Sequence, residues 1–310
     1  MNKTEDMRFL IRGAYDLHVH SAPDLLPRKL DDIQMAHRLS ACGMGGYALK
    51  NHYFCTAQRA EILSAYEPSC HFVGAVVLNS SVGGLNPAAV ELSLRAGARI
   101  VWMPTCDSEH ERAEVFNGNA KKQPFWAGII LELQKEGIEN PTITLLKDGR
   151  LKPAVYDILS IARQYDAVLA TGHISHEEAF ALARAAKACG FKKLLITHVD
   201  FPSTFYTIEE QRELLSLGAW LEHCYTTYAT GKVDFEQTVH QIRATGTEKV
   251  ILSSDLGQRS NVYPDEGMLD FAVRLYEKGF SQEEIERMNR LNPMALIAGG
   301  RRKGDGAGEG

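Results

Sequence analysis

The chain contains no apolar run of the roughly 18 to 20 residues that a bilayer-spanning helix needs. Its first residues, MNKTEDMRFLIRG, hold no hydrophobic stretch leading to a small-residue cleavage site. A soluble, cytoplasmic protein is therefore expected. Lysine and arginine are scattered instead of gathered into a basic block, and the formal net charge is −5, so neither nucleic acid nor a membrane is expected as a partner. The six cysteines, Cys42, Cys55, Cys70, Cys106, Cys189 and Cys224, stand singly with no Cys-x-x-Cys pair. In a chain of 310 residues, long enough to bury its own core, that spacing argues against a disulfide framework.

What the sequence does hold is a rhythm. Eight β-rich runs recur: AYDLHVH, GGYALKNH, FVGAVVLN, ARIVWMPT, AVLATGHIS, KLLITHVD, AWLEHCY and KVILSSD. Between most of them lies one segment with apolar residues at helical spacing, such as LDDIQMAHRLSACG or EEAFALARAAKACG. Several runs are continuously apolar, as strands of a parallel sheet covered on both faces should be. An α/β fold of the (β/α)8 TIM barrel type is predicted over residues 1–300. The competing doubly wound sheet usually carries a Gly-rich phosphate turn after its first strand, and here that position reads His-Val-His. The rhythm breaks once, after strand 4. Residues 107–152 read as an insertion, with Asp148-Gly149 as a hairpin turn and the whole placed as a lid over the strand 4 end. Phe125 and Trp126 within it could serve a lid or a partner, so a homo-oligomer stays possible. Residues 301–310, Gly-rich and charged, are expected to be a disordered tail.

In such a barrel the site is built at the carboxyl ends of the strands. Those ends are rich in metal ligands: His18 and His20 on strand 1, Lys50 and His52 on strand 2, His173 on strand 5, His198 on strand 6, Glu222-His223 on strand 7 and Asp255 on strand 8. His18 and His20 share one face by the period of two along a strand, so both imidazoles can reach one ion. Asp255 can bind the metal, take a proton from water acidified by it, or do both in turn. Lys50 is open among general acid, anion anchor and carbamylated ligand. Further residues are candidates for substrate contact: His52, Asn79, Gly84, Asn86 as the N-cap before Pro87, Thr105, and Arg259, with Arg28 a second candidate anion clamp.

Taken together, these residues resemble the amidohydrolase superfamily of metal-dependent barrels, over nearly the whole chain to about residue 300. The superfamily pattern of His-x-His on strand 1, His on strands 5 and 6 and Asp on strand 8 matches His18, His20, His173, His198 and Asp255. TGHISHEEAFALARAAKACGFKKLLITHVDFP is similar to the strand 5 to strand 6 region of phosphotriesterase-like members, and NPMALIAGG resembles their closing helix. DLHVHSAPD, ALKNHY, LNSSVGGLNP and VWMPT look like a branch near those members for which the resemblance supplies no substrate. One departure stands out: binuclear members carry a Lys or Glu at the end of strand 4, where this chain has Met103-Pro104-Thr105. Either the site holds one ion, or Lys50 or Glu222 bridges two.

The resemblance implies a metal-dependent hydrolase acting on an amide, lactone or ester-like centre of a small molecule. Asp255 would shuttle a proton, and His198 would bind metal or polarise the electrophile. The divalent cofactor expected is zinc, with manganese or iron possible. Two alternatives remain: a mononuclear decarboxylase on the same scaffold, and a phosphoesterase of the polymerase and histidinol phosphatase type, whose first two motifs DLHVHSAPD and ALKNHYF are similar. That second family's Glu after strand 3 is replaced here by Asn79.

Overall fold

Each of the eight runs forms one parallel strand of a barrel in the computed structural model, which describes residues 5–117 and 123–299. The strands are β1 (Tyr15–Val19), β2 (Gly46–Leu49), β3 (His71–Val77), β4 (Ala98–Trp102), β5 (Val168–Ala170), β6 (Leu194–Ile196), β7 (Trp220–Cys224) and β8 (Val250–Ser253). Neighbours in space follow sequence order. The first and last strands meet through main-chain bonds: His20 N donates to the Leu256 carbonyl (2.8 Å) and Asp255 N to the His18 carbonyl (2.9 Å). The barrel is thus closed by the residues that carry its candidate ligands.

Helices cover the outside because their start signals agree with their apolar stripes. Asp31 with Gln34, Ser175 with Glu178 and Thr207 with Glu210 form capping boxes at the helices Asp32–Ala41, His176–Ala188 and Ile208–Ser216. Asn86 caps Pro87–Arg95 through Ala88 N and Ala89 N. Inside the barrel, Ala48, Val73, Ala75, Val77, Ile100, Trp102 and Ile251 alternate inward along their strands, joined by Leu296 and Ile297 from the last helix. No helix of the described residues is long and apolar enough to cross a membrane.

The insertion after β4 contains two helices, Glu109–Phe116 and Phe125–Lys135, and a short antiparallel hairpin pairing Leu146–Lys147 with Arg150–Leu151. Asp148 and Gly149 turn the hairpin with φ of 52° and 71°, the left-handed pair that a two-residue turn requires. The hairpin packs beside the helix His176–Ala188. The parts of the insertion that reach the barrel mouth are instead Glu111 on its first helix and the start of its second, at Pro124, Phe125 and Trp126. The tail 301–310 and most of Asn117-Gly118-Asn119 lie outside the described residues.

Candidate metal centre

The site begins with an irregularity in β1. Tyr15 and Asp16 pair with Gly46 and Tyr47, but Val19 pairs with Leu49, so β1 holds one residue more than its partner over that step. Leu17 points into the barrel core, and the bulge lets His18 and His20 take over the inward face above it. β2 needs no such device: Ala48 is inside, Lys50 follows two residues later and His52 two after that. On β8 the chain turns at Asp255, whose φ is 52°, and beyond β6 at His198, whose φ is 30°. Strained non-glycine backbone at two of the candidate ligands is the kind of local cost that functional positions carry.

Ligand atoms of His18, His20 and Asp255 all lie within 4.8 Å of one another. Asp255 Oδ1 stands 3.2 Å from Nε2 of His18 and 3.2 Å from Nε2 of His20, and its Oδ2 accepts from the Thr226 hydroxyl at 3.1 Å. Lys50 Nζ lies 2.7 Å from Nε2 of His18 and 5.1 Å from the centre of the Trp102 ring, which floors the site. The remaining imidazoles form a chain around the same mouth. Ring centres of His20 and His52 are 5.0 Å apart, those of His52 and His173 6.4 Å, and those of His173 and His198 4.9 Å. His18, His20, His52, His173, His198, Lys50 and Asp255 are therefore gathered at one rim, and His223 is not.

Each imidazole has a partner on its far side. Nδ1 of His18 faces Glu222 Oε2 at 3.2 Å, Nδ1 of His52 faces the Thr105 hydroxyl at 2.8 Å, and Nδ1 of His198 faces the Thr204 hydroxyl at 2.9 Å. His173 Nδ1 lies 3.4 Å from Glu111 Oε1, within ion-pair range but without hydrogen-bond alignment. Such partners fix ring orientation and leave one nitrogen of each ring for the site. His20 is different. Arg28 donates to its Nδ1 at 3.3 Å, which casts Nε2 as the nitrogen carrying the proton toward Asp255. Metal binding through Nε2 must release that proton.

Burial and charge set the protonation states. Burial pushes His20, His52 and His198 well below the usual imidazole range, with neighbouring cations adding to it, so all three are neutral and able to ligate. Burial also lowers Lys50, against the opposing pull of Asp255 and Glu222. For Asp255, burial would raise the carboxyl, but His18, His20 and Lys50 outweigh it and hold the group well below the normal carboxylate value. Glu222 is held down in the same way, with His18 and Lys50 overcoming burial.

Not every candidate reaches the cavity. Asn79 and Thr105 are fully buried behind His52: the Asn79 amide donates to the Thr105 hydroxyl (2.8 Å) and to the His52 carbonyl (2.9 Å), which makes the pair a support for that ring. Asn86 is occupied as a helix cap, and the added Cβ of a residue at Gly84 would meet Ile143 instead of open space. Arg259 is exposed, its Nε directed at the Arg28 carbonyl. These corrections share one cause: the loops after β3, β4 and β8 fold back on the barrel and the insertion, so their polar groups satisfy the chain. On β7 only Glu222 of the Glu222-His223 pair turns inward, while His223 pairs with Asp200 at 3.0 Å on the outside. Conversely, Glu111, Phe201 and Lys232 line the cavity unforeseen. Phe201 follows His198 by three residues, a usable signal; nothing in the local pattern marks Glu111 or Lys232.

The cavity above these ligands has a volume of about 220 Å³. A larger groove, about 610 Å³, runs between the helices Pro153–Gln164 and His176–Ala188, but no histidine or carboxylate lines it. The chemistry belongs to the smaller one.

Comparison with known proteins agrees on the fold. An amidohydrolase from Pseudomonas aeruginosa superposes with a TM-score of 0.63 at 8% identity, covering 96% of this chain and 98% of that one. The metallopeptidase dipeptidase AC gives 0.58 at 11% identity over 94% and 99% of the two chains. An organophosphorus hydrolase from Deinococcus radiodurans gives 0.58 at 13% identity over 92% of each. Likenesses at such identity establish a shared barrel. A search of curated proteins finds no matching relative. One family model matches residues 13–222, and its description is a family of unknown function.

Proposed function

We propose, for a chain that belongs to this family of unknown function, DUF6282, that the barrel mouth is the active site of a metal-dependent hydrolase acting on an amide, lactone or ester-like centre of a small molecule. The observation that carries the reading is the convergence of His18, His20 and Asp255, whose ligand atoms lie within 4.8 Å of one another although the residues come from opposite ends of the chain. Two imidazoles and an ionised carboxylate fit a borderline divalent cation, zinc foremost, with manganese or iron as alternatives. A buried oxygen without a hydrogen-bond partner, Glu222 Oε1, adds a further donor beneath His18. His173, His198 and Lys50 complete the set from which one or two ions would be held.

Such a cation, when bound, supplies Lewis-acid polarisation of the reacting centre and acidifies water near neutral pH. The rest is the work of the chain. Glu222 accepts the Nδ1 proton of His18 and keeps its Nε2 aimed at the site. Asp255, ionised and held by the Thr226 hydroxyl, receives a proton from the attacking water and passes it to the leaving group. His198, neutral, donates from Nδ1 to the Thr204 hydroxyl, whose own proton goes to the His198 carbonyl, and so keeps its Nε2 lone pair toward the site. Trp126, buried at the mouth, narrows the entrance and excludes bulk water.

Metal content measured on protein purified without chelator tests the reading, followed by turnover of a panel of esters, lactones and amides. One or two equivalents of transition metal, with activity abolished by chelation and restored by zinc or manganese, is the expected result. Protein that neither retains nor responds to metal would sink it. The decarboxylase reading keeps one observation in its favour: β4 ends in Trp102, which cannot bridge two ions. A product lacking the elements of water would decide for it.

A further inference from the structure

The mouth cavity carries more positive charge than its ligand set requires. Arg28, Lys50 and Lys232 line it against the carboxylates of Glu111 and Asp255. Two of the three cations are engaged: Arg28 Nε donates to Asp24 Oδ2 at 2.6 Å, and Lys50 contacts His18. The third is not. Lys232 Nζ stands 4.4 Å from the centre of the Phe201 ring, and among the described residues no carboxylate lies within ion-pair distance of it. The acidic groups facing it, Asp255 and Glu111, are already turned to His20 and His173. Phe201 in turn packs on His198 with 4.8 Å between ring centres. An ammonium, an aromatic face and a candidate catalytic imidazole thus succeed one another from the rim to the centre.

We propose that this cavity selects a small substrate bearing a single carboxylate on an apolar body, with Lys232 receiving the carboxylate while the body lies along Phe201 and Trp126. A bound divalent cation would make the cavity more positive still, which raises the advantage of an anionic substrate over a neutral one. One free ammonium matches one negative charge; a phosphate dianion would want the paired donors of an arginine, and Arg28 is held by Asp24 and His20. The volume, about 220 Å³, is below the roughly 300 Å³ at which pockets for drug-sized ligands begin. That size fits an aryl or short alkyl acid derivative.

The inference rests on the hydrolase reading for turnover but not for binding, so both are measured on the metal-loaded full chain. Phenylacetate and its neutral isostere phenylacetamide are titrated by calorimetry against the wild type, Lys232→Met and Lys232→Arg. Phenylacetate should bind the wild type at least about tenfold more tightly than the amide, the preference should vanish in Lys232→Met, and Lys232→Arg should restore it. Equal binding of the two probes, no binding of either, or a preference that survives in Lys232→Met, as direct ligation of the carboxylate to the metal would give, overturns the proposal. Turnover of carboxylated and uncarboxylated aryl esters is the second arm. A lysine-dependent preference in binding without hydrolysis of any carboxylated ester, lactone or amide upholds the carboxylate site while refuting the hydrolase.

Discussion

Glu222 Oε2 lies 3.2 Å from Nδ1 of His18, with both side chains buried beneath the barrel mouth. The pair comes from β7 and β1, 204 residues apart in sequence. It decides which nitrogen of His18 is free. With Nδ1 donating to the carboxylate, Nε2 keeps its lone pair toward Asp255 and Lys50. Replacing Glu222 by Gln preserves the volume but weakens the acceptor, and a group that only orients a ligand typically costs 10- to 100-fold in metal affinity when altered. A loss of that size is expected in a competition titration with a chromophoric chelator, with the circular dichroism spectrum unchanged. Wild-type affinity in Glu222→Gln would show that the ring is held by packing alone.

Asp255 is placed for two tasks, and the variant Asp255→Asn separates them. The amide oxygen can still approach the Nε2 atoms of His18 and His20, now 3.2 Å from Oδ1, but it cannot take up a proton. Metal content should stay near the wild-type level while kcat falls by about 10²- to 10⁴-fold, the usual share of a general acid–base group. The accompanying readout is the acidic limb of the pH–rate profile, which should disappear. A variant that loses metal and activity together assigns Asp255 to ligation only.

Asp16 sits one layer below the ligands with Oδ1 accepting from Ser254 N (2.9 Å) and His18 N (3.2 Å), while Oδ2 has no partner. Burial pushes its carboxyl up to about 7, against those hydrogen bonds and the attraction of His18. A raised acid is protonated more readily in the folded than in the unfolded chain. Its ionisation therefore costs stability, with none lost below the unfolded value near 3.8 and the full cost reached above about 7. At about 1.4 kcal/mol per unit, that cost has an upper scale of about 4 kcal/mol. Urea unfolding of metal-free wild type and Asp16→Asn at pH 5 and pH 8 checks it. The stability of the wild type relative to the variant should fall between the two, and a difference independent of pH would show that Asp16 keeps an ordinary carboxyl.

The eight strands were legible because each is a short β-rich run, and the cluster of candidate ligands because His18, His20, His52, His173, His198 and Asp255 all stand at carboxyl ends of those runs. The inward phase of His18 was legible only in part. Period two relates it to His20, but the bulge that carries both to the inner face, one residue after the inward Leu17, depends on pairing with β2. Loop residues were the least readable. Gly84, Asn86 and Arg259 have the right chemistry for substrate contact, yet their partners, Ile143, Ala88 and Arg28, are set by how the loops pack. Lys232 and Glu111 show the converse, since ordinary charged residues gained a place at the mouth from a loop after the helix Tyr225–Ala229 and from the helix Glu109–Phe116, which only tertiary structure brings there.

Gly257 ties the closure of the barrel to the site, which gives the last expectation. It follows Asp255 by two residues and has a φ of 129°, a region that side chains rarely enter. A Cβ built there would stand 1.7 Å from the His20 carbonyl oxygen, so the backbone of a ligand-bearing segment would have to move. That segment also donates His20 N to the Leu256 carbonyl, the bond that joins the first strand to the last. Gly257→Ala should therefore destabilise the protein by at least about 3 kcal/mol, combining backbone strain with a clash that no side-chain rotation relieves. Because the displaced residue is His20, metal affinity in the folded fraction should drop as well. Chemical denaturation and metal titration of the same preparation read the two effects separately, and a variant with wild-type values of both would mean that the loop after β8 is free to shift without disturbing β1.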